Sequence, residues 1–220
     1  MDNTVGRLQS LFPSHQFDVL IGSLLGDARL ECRSIGKRHP ITARLRIHHS
    51  EKQKDYVFWK YGVFKDIVEK GPREIMVWHD KLRNANHYSW YFHSRSSESL
   101  GLLQQYFYKG KTKIVPENIF ELLTPRALAV WFMDDGSNTR NSYTISTHCF
   151  SEKEQCEIID FFKKKHNINA KLVKDRLRLK IAFGRYEYQK LNAIIEPYII
   201  PSMIYKIANP RNDSAKILAG

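Results

Sequence analysis

Apolar positions along this 220-residue chain recur with two periods, and each period appears in both halves. Residues 14–27 (SHQFDVLIGSLLGD) follow Pro13, are almost continuously apolar and stop at an acid, which predicts a helix. Residues 124–135 (TPRALAVWFMDD) repeat the design, with Thr124 as N-cap, Pro125 at the first helical position and Gly136 as the stop. Alternation with period two predicts strands. In 42–48, Ala43, Leu45 and Ile47 oppose Thr42, Arg44, Arg46 and His48; in 175–181, Leu177, Leu179 and Ile181 oppose Arg176, Arg178 and Lys180. Residues 143–148 alternate more weakly, with Thr144, Ser146 and His148 on the polar side, and 75–79 and 88–93 are aromatic-rich strands. Further helices are expected near 51–68, 97–108, 151–166 and 185–195.

Each half therefore reads helix, strands, helix, strands, helix. The expected class is α+β with antiparallel sheets, each with one apolar and one basic face. The expected seam is Lys109-Gly110-Lys111-Thr112-Lys113, followed by Pro116, which divides the chain into 1–112 and 113–208. The polar stretch 209–220 has no apolar period and is expected to be a loose tail.

Composition narrows the function. With 42% hydrophobic and 12% aromatic residues the chain has enough to build a core, which excludes disorder as its main state. The apolar run 19–25 is broken by Gly22 and Ser23 and is far too short for a membrane span. The first residues, MDNTVGRLQS, have no apolar core of a secretion signal. Cys32, Cys149 and Cys156 form no CxxC pair, which argues against a disulfide scaffold or zinc ribbon and for a reducing, intracellular setting, whether prokaryotic cytoplasm or organelle. Thirty-five Lys+Arg against 23 Asp+Glu leave a net charge of +12, spread over both halves, so the expected partner is a polyanion. Nucleic acid ranks ahead of an anionic membrane surface.

The two terminal acids are the candidate chemistry. Gly22 and Gly26 lie four apart on one helical face, beside Ser23, and Ala129 and Met133 hold the comparable stripe of the second helix. If the two helices pack on these stripes, Asp27 and Asp135 meet at two C-termini, where the helix dipoles are also negative. Such a pair is relieved by a divalent cation, and hard oxygen donors select Mg²⁺- or Ca²⁺-type ions. In a basic protein this suggests metal-assisted phosphodiester hydrolysis. Asp-Asp-Gly after a helix is often only a turn, and small residues are often only packing; two matched ends half a chain apart favour the site. The arginines that alternate with core positions stand where a two-stranded ribbon reads guanine in the major groove, the alternative being a merely solvated face. Lys163, Lys164 and Lys165 read as solvated charge or phosphate contacts.

Leu20-Ile-Gly-Ser-Leu-Leu-Gly-Asp27-Ala28 and Leu128-Ala-Val-Trp-Phe-Met-Asp-Asp135-Gly136 resemble the two motif copies of the LAGLIDADG homing endonucleases in their single-chain form. The approach from Lys113 to Pro125 and the ending from Lys190 to Lys206 resemble that family too. The first copy departs at Ala28, and the second has Val130 and Trp131 where the motif has Gly and Leu; the acidic eighth position is kept in both.

The resemblance implies two pseudo-symmetric αββαββα halves with saddle-shaped sheets and a central two-helix interface. It implies Mg²⁺ at Asp27 and Asp135, with the carbonyls of Gly26 and Asp134 as further ligands, Mn²⁺ as a substitute, and Ca²⁺ binding without cleavage. Lys113 and Lys206 match the family's basic residues near the scissile phosphates, and His49 and His148, with His48 competing for the first place, match the region that orders the water shell. Arg44, Arg46, His48, Thr144, Ser146, Arg176, Arg178 and Lys180 are the expected DNA contacts. The implied protein is a monomeric, free-standing, intron-encoded, site-specific double-strand DNA endonuclease. It would leave short 3′ overhangs in a long pseudo-palindromic target. The rivals are an RNA maturase that binds intron RNA and a cleavage-inactive DNA-binding regulator; retention of both acids argues against the latter.

Overall fold

A computed structural model of the chain describes residues 4–32, 41–139 and 142–207. It divides into two units, Met1–Tyr108 and Lys109–Gly220. The expected tail 209–220 lies outside the described residues.

In the first unit the short α1 (Thr4–Gln9) precedes α2 (Ser14–Leu25). Every residue of α2 from Gln16 to Leu25 is buried, as a helix apolar on all sides requires. Then come β1 (Arg29–Cys32), β2 (Ala43–Ser50), α3 (Lys54–Val63), β3 (Arg73–Asp80), β4 (Ala85–His93) and α4 (Glu98–Phe107). The strands form an antiparallel sheet in the order β1-β2-β4-β3. Leu45, Ile47 and Phe92 line its inner face, over which α3 contributes Tyr56, Val57 and Phe64.

The chain then turns at Gly110 (φ 65) between the two-residue strands β5 (Tyr108–Lys109) and β6 (Thr112–Lys113). Beyond α5 (Ile119–Leu122), the second unit repeats the order as α6 (Pro125–Asp135), β7 (Gly136–Asn138), β8 (Tyr143–Ile145), α7 (Glu152–His166), β9 (Ala170–Asp175), β10 (Arg178–Phe183) and α8 (Tyr188–Ile195). Its sheet runs β7-β8-β10-β9, the same topology. Local chemistry sets the helix ends. The Thr124 hydroxyl accepts the Ala127 N–H to open α6, and a Ser151/Glu154 capping box opens α7. Asn167 closes α7 in the left-handed region (φ 52).

The αββαββα order thus occurs twice. Several expectations are corrected. The strand 175–181 is in fact a tight hairpin. Arg178 pairs with Asp175 across Arg176 and Leu177, Arg176 takes a left-handed φ of 56, and Leu177 is 97% exposed rather than facing the core. The helix 51–68 is a 3₁₀ turn at Glu51–Gln53 followed by α3, which ends at Val63. The helix 185–195 starts only at Tyr188, and the strand 143–148 ends at Ile145. Gly136 does stop α6, but with φ −73 rather than a left-handed cap. Its glycine is needed for space: a Cβ there would lie 2.3 Å from the Phe132 carbonyl oxygen. Among the described residues no helix is long and apolar enough to cross a membrane.

Candidate functional site

In the first unit, Asp27 follows the last turn of α2. The Gly26 N–H donates to Gly22 O (3.1 Å) and the Ala28 N–H to Ser23 O (2.9 Å), so backbone bonds fix the chain on both sides of the acid. The side chain itself is 46% exposed, so solvent reaches it. One oxygen lies 3.5 Å from Nδ1 of His49 on β2.

Register decides which histidine this is. β2 alternates Ala43, Leu45, Ile47 and His49 inward with Arg44, Arg46 and His48 on the other face. His49 is accordingly 5% exposed and packs on the Tyr56 ring, with centroids 5.1 Å apart. His48 bonds Ser89 Oγ at 2.6 Å on the opposite face. Burial, reinforced by the Arg46 and Arg29 charges, holds the His48 pKa below its usual value. Behind His49 lies Lys60 of α3, which is fully buried; its Nζ is 3.5 Å from His49 Nε2 and 4.4 Å from the centre of the Tyr56 ring. Sequence reading missed Lys60. The signal was there, because it falls on the stripe Tyr56, Val57, Lys60, Phe64 that α3 turns inward.

In the second unit Asp135 is the last residue of α6 and its carbonyl accepts the Ser146 N–H at 3.0 Å. Lys206, from the 3₁₀ segment Pro201–Lys206, donates to the carbonyls of Asp134 (3.0 Å) and Gly136 (2.8 Å), the two neighbours of Asp135. A cation there complements the negative end of the α6 dipole. The Tyr143 hydroxyl, shared between Asn192 Oδ1 (2.7 Å) and Ile207 O (3.1 Å), anchors the segment that carries Lys206. Burial raises the Cys149 thiol pKa, the Lys113 charge opposes that and the Asp135 charge adds to it, so Lys113 and Asp135 both act on one side chain.

The register also shows which residue of this unit occupies the place of His49. Arg29 faces Arg46 in the first sheet and Ser137 faces Thr144 in the second. Counting from the motif acids, Arg46 corresponds to Thr144, His48 to Ser146 and His49 to Thr147. Thr147 is fully buried. His148 lies one residue beyond, with Nε2 3.4 Å from Asp175 and its carbonyl accepting Arg178 Nη1 at 3.0 Å.

The outer faces of the sheets follow from the same pairing. Arg29, Arg44, Arg46, His48, Arg73 and His93 share one face of the first sheet. Glu31 sits among them, 2.7 Å from Arg44 and 3.5 Å from Arg46. Burial pushes the Glu31 carboxyl up, but the Arg44 hydrogen bond and the surrounding positive charges outweigh it and hold it below the usual range. Arg44, Lys70, Arg73, His93 and Arg95 also line one cleft. Lys70, Arg73 and Arg95 were not singled out from sequence, because they sit at loop and strand ends where alternation gives no signal. In the second unit Thr144, Ser146, Arg178 and Lys180 share a face, but Thr144 is buried against Ser137 Oγ (2.8 Å) and Lys180 is 3.0 Å from Asp175. Arg176 stands at the hairpin tip, off the strands.

The sequence model of the LAGLIDADG DNA endonuclease family matches residues 17–191. The chain is 30% identical over 211 residues to DNA endonuclease I-ChuI of Chlamydomonas applanata, covering 88% of this chain and 94% of that one. It is 26% identical to the cytochrome b mRNA maturase bI2 of Saccharomyces cerevisiae, covering 95% of this chain and 50% of the maturase. Its fold is similar to the solved structure of the homing endonuclease I-WcaI bound to its DNA recognition sequence. That match has a TM-score of 0.79 and 23% identity, over 93% of this chain and 92% of the other.

Proposed function

Because this chain belongs to the LAGLIDADG DNA endonuclease family, we propose that it is a site-specific double-strand DNA endonuclease of the homing type, one unit serving each strand. The observation that carries the reading is the repeated placement of one carboxylate, Asp27 or Asp135, at the end of a buried motif helix. Each stands next to a four-stranded sheet that carries basic side chains on one face.

Divalent-metal dependence is part of the proposal. The donors fit a hard cation: an exposed carboxylate at Asp27, a half-buried one at Asp135, and helix-end carbonyls, with no thiolate among them. Asp27 and Asp135, with the carbonyls of Gly26 and Asp134, would hold Mg²⁺, with Mn²⁺ as substitute and Ca²⁺ as a binder that does not support cleavage. When bound, such an ion neutralises phosphate charge and makes a water a better nucleophile. The chain's own residues do the rest. His49 orients the Asp27 carboxylate. Lys206, fixed on both sides of Asp135, and Lys113 offset charge that develops on the phosphate. The faces carrying Arg44, Arg46, His48, Ser146, Arg178 and Lys180 bind DNA, with the arginines reading base edges, while Arg176 and the helix lysines meet phosphates.

The test is incubation with DNA spanning the intron-free junction of the host gene, with and without Mg²⁺. The proposal expects a double-strand cut with short 3′ overhangs in Mg²⁺ and none without it. The likeness to a maturase over nearly the whole chain favours one second reading, binding of intron RNA. Splicing stimulated by the protein, with the DNA junction left whole, would replace the first reading by the second.

A further inference from the structure

The fully buried ammonium of Lys60 has no part in the mechanism above. It sits on the side of His49 away from Asp27, and its chemistry constrains the ring. An ammonium has three donors and no lone pair. With Lys60 Nζ 3.5 Å from Nε2, that nitrogen is the acceptor, so the ring proton of neutral His49 resides on Nδ1. Nδ1 is the atom 3.5 Å from the Asp27 carboxylate. The Tyr56 ring, against which both Lys60 and His49 pack, fixes their approach.

We infer that Lys60 is a positioning residue for the first unit's centre alone: it sets the His49 tautomer, and His49 in turn presents an N–H to Asp27. Among the described residues, the second unit places different side chains behind its acid. Thr147 stands at the position of His49, and α7, which follows it, turns Gln155, Ile158, Phe161 and Phe162 inward, with no lysine among them. Phe161 is 6% exposed and stacks on Phe120, so apart from Gln155 this inward face is apolar. Groups that orient a metal ligand through a hydrogen bond are commonly worth 10–100-fold in metal affinity or activity. Loss of Lys60 therefore slows one strand's cleavage and leaves the other's nearly intact.

This inference rests on the endonuclease reading for its consequence, but its geometry is testable without activity. Histidine ¹⁵N NMR of the metal-free protein, with the His49 signals assigned by comparison with His49→Gln, reports the tautomer. The wild type should show the Nδ1–H form. Lys60→Met should lose that preference, and Lys60→Gln, which keeps an N–H donor, should retain it. An Nε2–H tautomer in the wild type, which needs no variant to fold, overturns the inference. So does a tautomer that Lys60→Met leaves unchanged.

Strand-resolved cleavage in Mg²⁺ supplies the second readout. Lys60→Met should change the ratio of the two strands' rates by on the order of 10-fold, with an accumulating nick, and Lys60→Gln should largely restore the wild-type ratio. Equal slowing of both strands marks Lys60 as merely structural and overturns the inference while leaving the endonuclease reading intact. A wild type that shows the Nδ1–H tautomer but cuts neither strand removes the endonuclease reading, and with it the positioning role.

Discussion

The two units share a topology and a register, yet they solve the region behind the motif acid in opposite ways. The first unit places a histidine and a buried lysine there; the second places a threonine and a helix face that buries Gln155, Ile158, Phe161 and Phe162. The second instead brings a cation from outside the αββαββα frame, Lys206, onto the carbonyls that flank Asp135. The ninth motif position differs as well. Gly136 has no room for a Cβ, whereas Ala28 buries one, because α2 ends two residues before its acid and α6 runs through to its own. The β3–β4 hairpin exposes Ile75, Met76, Val77 and Trp78, while the β9–β10 hairpin presents Lys174, Arg176 and Arg178. A repeated fold thus fixes where the acid stands, and the surrounding chemistry is free to diverge.

Removing Lys206 should produce the largest difference between the units. Lys206→Met leaves two carbonyls at the end of α6 without their charged donor, at a cost of about 1.5–3 kcal/mol in stability, measured by denaturant unfolding. Cleavage of the strand served by Asp135 should fall more than that of the other, and equal falls would show that Lys206 is not specific to its own unit.

The sheet arginines come next. Arg46→Ala and Arg178→Ala should each cost about 1–3 kcal/mol at one target position and relax preference there, read by cleavage of a target library. Substituting Lys163 should weaken all sequences alike and lower the salt slope by about 1. Base preferences unmoved in both arginine variants would assign the arginines to phosphates.

The ninth positions should respond unequally. Gly136→Ala should cost about 1–3 kcal/mol by overpacking against Phe132. Ala28→Gly should cost about 0.8 kcal/mol, the loss of one buried methyl. Equal costs would contradict the difference in how α2 and α6 end.

The smallest effect lies at Glu187, where hydrogen bonds from Asn169, assisted by Lys190, bring the carboxyl to about 2 from 4.5. Because the folded value is the lower one, its stabilisation is present above pH 4.5 and is lost as the pH falls toward 2. Glu187→Gln should flatten the wild type's decline in melting temperature across that window; an unchanged decline would place the acid sensitivity elsewhere.

Much of this was legible in the sequence where one element has one dominant cause. The motif helices announce themselves by unbroken apolar runs with a Pro at the start and an acid at the end, and β2 by its strict alternation. The same alternation, carried two residues further, puts His49 inside and His48 outside. The β9–β10 hairpin was illegible because Arg176, without a Gly or Asn, occupies a left-handed turn position, and Leu177 happens to continue the pattern of the strand. The resemblance puts His148 in the region that orders the water shell, and the short β8 and its register put Thr147, one residue earlier, level with His49. Lys60 shares the helical stripe of Tyr56, Val57 and Phe64, but a lysine is normally solvated, and the packing of α3 on its sheet decides for the stripe.

The most direct test of the central claim, one catalytic carboxylate per unit, is Mg²⁺-dependent cleavage of the target by Asp27→Asn and Asp135→Asn, measured alongside DNA affinity. Each substitution should abolish the double-strand cut while binding stays within a few-fold of the wild type. Normal double-strand cutting by either variant would remove that carboxylate from the active centre and contradict the account.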